Sequence, residues 1–230
     1  MYSRKDRQLN ETRKIDIRVG TFPNASGSAV FAFGDTIVFT AVEGPKPVLP
    51  KHLEDQNGLL IKFKYDMLPF STEERAKLGL NRRDIEISEV VKEVLEGTII
   101  RNKLPRLMVD IYAYVISADA GTRTAAINAA SLACASAGLP MYDLVCALSV
   151  GKVGDSLVAD LDKYEEDYEE GATDMPVAWL LKEDKILLLQ LDGEVSYEEF
   201  EKLLDLSKEK AKQIHELQEK ALRGKYESKS

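Results

Sequence analysis

Residues 118–140 read ADAGTRTAAINAASLACASAGLP, a glycine turn running into an alanine-rich helix. Seven alanines stand between Ala125 and Ala137, and Gly138-Leu139-Pro140 stops the run. Ala has the best helix propensity and the smallest side chain that still forms a helix well. Such a helix can approach a sheet or a second helix closely. Upstream, Pro105 opens the stretch Leu107–Ser117, apolar on both faces in its middle, as a central strand should be. The join therefore reads as buried strand, Gly121, helix. Gly121 lets the backbone approach a ligand, and Thr122 and Arg123 fall in the first helical turn, where free N–H groups and the helix dipole attract anions. With the Thr hydroxyl and the Arg fork this is either a phosphate cradle or an ordinary strand-to-helix turn.

On the N-terminal side the chain reads as short strands. Lys14–Gly20 alternates, with Ile15, Ile17 and Val19 opposite Asp16 and Arg18. After the NASG turn at 24–27, Ser28–Phe33 and Thr36–Val42 flank Gly34-Asp35 as a hairpin. A Pro- and Lys-rich loop over Gly44–Asn57 leads to a further alternating strand, Leu59–Tyr65. Residues 70–83 read as a loop with a short helical turn. Asn81 then caps a helix whose core face is Ile85, Ile87, Val90, Val91, Val94 and Leu95.

The C-terminal side repeats the strand theme. Val145–Val153 and Ser156–Leu161 flank Gly154-Asp155, and Pro176–Leu181 pairs with Lys185–Gln190. Ser196 and Glu199 form a capping box for a final helix with an apolar stripe from Phe200 to Leu222. The order strands, helix, strand, helix, strands, helix implies an α+β fold of two related β-rich halves with helices packed on mixed sheets. No linker divides it, so residues 1–230 read as one domain with a flexible N-terminus over about 1–10 and a charged, fraying tail over 223–230.

Composition narrows the function. The chain has 230 residues, 44% hydrophobic and 30% charged, which excludes wholesale disorder or coiled coil. No apolar run approaches the ~20 residues a membrane span needs, so no membrane is expected. The net charge of −8 disfavours a bulk-basic nucleic-acid binder but allows a local basic groove. Cys134 and Cys146 sit in apolar contexts and read as free buried thiols. The polar N-terminus has no signal-like segment, and a cytoplasmic location is expected.

Three more segments can carry chemistry. Arg82-Arg83 stand at a helix N-terminus, where the dipole disfavours cations, so they are either ligands for an anion or solvated side chains offset by Asp84. The stretch 162–170, DKYEEDYEE, holds six acidic residues. Asp167 and Asp174 bracket a loop there. They can donate a proton to a leaving oxygen, hold a divalent cation, or simply be solvated. Lys51-His52, Lys62, Lys64 and Tyr65 suit a single nucleic-acid strand with a stacked base, or a solvated sheet face. No GxxxxGK[ST], GxSxG, HExxH or paired CxxC occurs, which removes support for P-loop, triad and zinc chemistry.

Together, GSAVFAFGDTIVFTAVEGP at 27–45, KYDMLPFSTEER at 64–75, NRRDIEISEVVKEVLE at 81–96, ADAGTRTAAINAASLACASAGLPMYDL at 118–144, SVGKVGD at 149–155 and DM at 174–175 resemble the RNase PH superfamily. The likeness is strongest to the catalytic RNase-PH-like subunit of the archaeal exosome. The resemblance implies processive 3′→5′ phosphorolysis, in which inorganic phosphate attacks the last phosphodiester of single-stranded RNA and releases a nucleoside diphosphate. It carries phosphate binding onto Gly121, Thr122, Arg123 and Arg83, and RNA binding onto Arg82, Arg83, Lys51, His52, Lys64 and Tyr65, with Tyr65 stacking on a base. It carries catalysis onto Asp167 and Asp174, with Asp167 preferred as the general acid and Mg2+ or Mn2+ at the pair. The implied partners are a sister RNase-PH-like subunit, in a hexameric ring of three heterodimers, and RNA-binding cap subunits. Two other functions compete: a stand-alone homohexameric RNase PH that trims transfer RNA 3′ ends, and a non-catalytic RNA-binding ring subunit.

Overall fold

The computed structural model describes residues 2–4, 6–72, 81–169 and 171–227. Most of the loop expected over 70–83, including the end of the KYDMLPFSTEER motif, lies outside these residues. Five strands form one sheet in the order β1-β2-β3-β5-β4: β1 (Ile15–Val19), β2 (Gly27–Phe33), β3 (Thr36–Pro47), β4 (Leu60–Met67) and β5 (Leu107–Ser117). Only β4 and β5 run parallel. The second sheet has the order β7-β6-β8-β9, from β6 (Val145–Val153), β7 (Ser156–Ala159), β8 (Ala172–Leu180) and β9 (Lys185–Leu189). It is antiparallel throughout, so only the first sheet is mixed.

Helix α1 (Arg82–Thr98) follows β4, α2 (Thr122–Ser136) follows β5, and α4 (Tyr197–Glu227) closes the chain. Almost every residue of α2 is buried, because it packs against strands of both sheets. Its small side chains permit this, as does Gly27 of β2, where any Cβ would collide with the α2 backbone at Ala133 and Ala137. The first residues of β6 run beyond β7, and α2 bonds their backbone instead. Ala147 donates its N–H to Asn128 Oδ1 (2.9 Å) and accepts from Asn128 Nδ2 (2.6 Å), while Val145 donates to Ser131 Oγ (2.8 Å). Paired in this way, buried polar groups do not carry the desolvation cost of orphans. One continuous set of buried apolar side chains links both sheets, α1, α2 and α4.

Several boundaries differ from the sequence reading. Strand β3 continues to Pro47 along β5, with a bulge after Glu43, where a loop is expected from Gly44. Strand β8 begins at Ala172 rather than Pro176. Asp174 therefore sits in the sheet, opposite Gly151, and not at the edge of a loop. Ile85 is half exposed, and α1 buries Ile87, Val91, Val94, Leu95 and Thr98. The acidic stretch contains a short helix, α3 (Lys163–Glu166), closed by a capping box between Asp162 and Glu165.

Both ends of the chain make side-chain contacts where they are described. Arg4 places Nε 2.6 Å and Nη2 2.7 Å from the two oxygens of fully buried Glu165, and Tyr2 donates to the same carboxylate at 2.9 Å. Helix α4 runs through Arg223 to Glu227, with Lys225 Nζ 2.6 Å from Ser136 Oγ. Both cysteines are free and buried, as expected. Ser196 and Glu199 form the expected capping box, and Lys152 pulls the Glu199 carboxyl down to about 2. Among the described residues no helix is long and apolar enough to cross a membrane.

Candidate active site

A pocket of about 580 Å³ opens where the two halves meet, lined by Arg83, Glu86, Arg123, Glu166, Asp167 and Asp174, with Ala172, Asp192 and Gly193. Four of the residues singled out from sequence therefore share one cavity: Arg83, Arg123, Asp167 and Asp174. Each arrives on a different element. Asn81 caps α1 by accepting the N–H of Arg83 (3.2 Å), which fixes Arg83 in the first turn. Gly121 takes a left-handed conformation (φ 62°), which an L side chain resists, and starts α2 directly after β5. This sets Arg123 in the first turn of α2, where Nη1 donates to Gln190 Oε1. Asp167 ends α3, and Asp174 lies on β8.

The two aspartates differ in kind. Asp167 is exposed, with Oδ2 2.7 Å from Lys163 Nζ. Asp174 accepts a hydrogen bond from Ser149 Oγ of β6. Burial pushes the Asp174 carboxyl above its ordinary value, against the opposing pull of Ser149 and Arg123. Glu166 is a pocket residue the sequence reading missed. Burial first, and then the charge of Asp174, raise it from 4.5 to about 7. The folded state thus holds a proton that the unfolded chain has already released above about pH 4.5. Stability from this group is full below that pH and is lost as pH rises through about 7. Glu166→Gln is expected to flatten that decline, read as melting temperature between pH 5 and 8. A decline as steep as the unmodified protein's would contradict it.

Other expected residues lie elsewhere. Tyr65 does not present a ring for stacking. It is 2% exposed, and its hydroxyl donates to Thr122 Oγ1 at 2.9 Å. Alternation on β4 explains this, since Ile61, Phe63 and Tyr65 share the core face while Lys62 and Lys64 point the other way. Tyr65 instead props the turn at Thr122, which is itself 5% exposed. Lys64 pairs with Asp66 at 3.1 Å and lies over the ring of Tyr114, 5.7 Å from its centroid. Arg82, Lys51 and His52 are exposed and line no part of the pocket, the latter two in a 3-10 turn between β3 and β4.

Among the described residues no three His, Cys, Asp or Glu side chains gather as a metal-binding group. Asp167 and Asp174 are engaged by Lys163 and Ser149. The cation implied by the resemblance has no full protein ligand set there among the described residues.

Two sheets thus pack around an alanine-rich helix, with arginines and carboxylates lining one pocket near its N-terminus. The sequence pattern of the 3′ exoribonuclease family matches in two consecutive parts, domain 1 over residues 11–140 and domain 2 over residues 143–210. The chain belongs to this family. It is 44% identical over 220 residues to the exosome complex component Rrp41 of Nitrosopumilus maritimus, covering 96% of this chain and 89% of the relative. The Rrp41 component of Pyrococcus furiosus is also 44% identical, with 96% and 87% covered. Rice Rrp46 shares the fold at a TM-score of 0.84 and 22% identity, over 95% of this chain and 98% of the other. A chain of the Archaeoglobus fulgidus exosome with RNA bound to the active site does so at 0.78 and 22%, over 93% and 92%.

Proposed function

We propose that the chain is the catalytic subunit of an exosome-type ring and shortens RNA from its 3′ end by phosphorolysis. The carrying observation is the meeting of Arg83, Arg123 and Asp174 in one pocket at the head of α2. Similarity to Rrp41 components along nearly the whole chain supports the assembly. The partners would be a sister RNase-PH-like chain alternating in a hexamer, and RNA-binding caps. The buried free thiols suit a reducing cytoplasm.

In this mechanism the attacking phosphate lies against the first turn of α2. There the N–H groups of Thr122, Arg123 and Thr124 have no partner within the helix, and Arg123 offers its fork. Arg83 faces it from α1 and binds the terminal phosphodiester. An oxygen of inorganic phosphate attacks the phosphorus of that diester, and the bond from phosphorus to the 3′ oxygen of the preceding nucleotide breaks. The 3′ oxygen takes a proton and remains on the shortened RNA. The released nucleotide keeps its own phosphate as α and carries the former inorganic phosphate as β.

Asp174 is the proton donor in this reading, in place of Asp167. A carboxyl raised by burial holds a proton closer to neutrality, whereas Asp167 is solvated and paired with Lys163. The test is RNA decay by the chain alone and with the sister subunit, with and without phosphate. Decay that needs both supports the reading. Decay by the chain alone, with phosphate, supports a homohexameric enzyme, and no decay in any mixture supports a structural ring subunit.

A further inference from the structure

The two walls of the pocket, the turn before α2 and the acidic segment, lie far apart in sequence, and the buried side chain of Arg13 spans from one to the other. We propose that Arg13 is a positioning residue that locks the phosphate-binding turn to the acidic wall; this rests on the phosphorolytic reading above. Arg13 is 7% exposed and Asp160 is 1% exposed. The backbone N–H and Nε of Arg13 lie 2.7 and 2.9 Å from Asp160 Oδ2, and Nη2 lies 2.7 Å from Oδ1. Nη2 also donates to the Leu161 carbonyl at 3.2 Å. This side of the guanidinium holds the start of the acidic wall.

The other side holds the turn. Nη1 donates to the Asp119 carbonyl, and lies 3.2 Å from Asp119 Oδ2 and 3.4 Å from Thr36 Oγ1. Thr36, fully buried, lies within 2.7 Å of the Ala120 carbonyl and accepts the Asp119 N–H at 2.9 Å. Asp119 then reaches back across the gap, where its Oδ1 accepts the N–H of Lys163, the first residue of α3, at 3.0 Å. The turn and the helix carrying Glu166 are thereby tied twice, through Arg13 to Asp160 and Leu161 and through Asp119 directly to Lys163.

Backbone conformation shows what these bonds hold. Ala120 (φ 55°) and Asp160 (φ 56°) are both left-handed without being glycine, one on each wall, and Gly121 adjoins the first. Such residues persist where their surroundings over-determine them, and they cluster at sites where a fixed geometry serves the chemistry. Here Arg13 contacts both segments. A Cβ on Gly121 would stand 3.3 Å from its Nη2, so the guanidinium also packs beneath the turn itself.

A side chain that only stabilised the fold would change the fraction of active protein and leave the affinity for phosphate intact. A positioning residue changes the affinity for phosphate. The experiment uses the chain assembled with its sister subunit, measuring inorganic phosphate binding by calorimetry and the KM values for phosphate and RNA. Arg13→Lys keeps the charge but cannot span Asp160, Leu161, Asp119 and Thr36 together. It is expected to weaken phosphate binding and raise phosphate KM tenfold or more, with RNA KM within twofold. Thr36→Val removes only a hydroxyl and covers the case in which Arg13→Lys does not fold; its phosphate KM should rise threefold or more. Unchanged phosphate affinity in the folded variants overturns the proposal. Phosphate binding that falls in the variants, in a ring that does not consume RNA by phosphorolysis, retains the positioning role and overturns the functional reading. A ring that binds no phosphate at all overturns both.

Discussion

Asp174→Asn in the assembled ring is expected to lower kcat for phosphate-dependent RNA shortening by about 10²- to 10⁴-fold, the usual contribution of a positioned general acid. The change is nearly isosteric, and the amide can still accept from Ser149, so RNA KM and melting temperature should hardly move. A donor must carry its proton, so the unmodified rate falls as pH rises through the raised carboxyl pKa of Asp174; the variant should lack that limb. Asp167→Asn is the matched control. It breaks an exposed pair with Lys163, worth at most about 1 kcal/mol, and should alter the rate by no more than about twofold. Rapid cleavage by Asp174→Asn with loss in Asp167→Asn would reverse the assignment.

Arg123→Gln is expected to raise phosphate KM by roughly one to two orders of magnitude, because hydrogen bonds to a charged group contribute about 1.5–3 kcal/mol and each 1.4 kcal/mol is tenfold. Arg123→Lys should fall between the two, since it keeps the charge and loses the planar fork. RNA KM should change little in either, because the proposed mechanism gives the diester to Arg83 on α1. Equal loss of RNA and phosphate affinity would mean that Arg123 serves both substrates, and no loss of either would remove it from the site.

Sequence reached the local elements of this fold and missed its long-range ties, for physical reasons. The alanines of α2 and the Gly154-Asp155 turn that ends β6 are local signals, and both elements lie where those signals put them. The start of β8 was hidden because Pro176 reads as a strand opener, although its carbonyl still accepts from Gln190. Residues 172–175 move Asp174 from a loop onto a strand, whereas the preference for Asp167 comes from the family likeness. Alternation on β4 already set Tyr65 on the face opposite the lysines; the family likeness pointed the other way, and burial decides for alternation. The helix bearing Glu166 had a legible signal, the Asp162 and Glu165 capping pair. Arg4 with Glu165, Arg13 with Asp160 and Arg123 with Gln190 join residues far apart in the chain, and no local pattern marks such pairs.

In the proposed reaction inorganic phosphate is the nucleophile. The direct measurement is to supply the assembled ring with unlabelled single-stranded RNA and [32P]phosphate and to identify the labelled product. Label at the β-phosphate of released nucleoside diphosphates, lost in Asp174→Asn, is the predicted result. Nucleoside monophosphates released without label, at a rate independent of phosphate, would contradict the account.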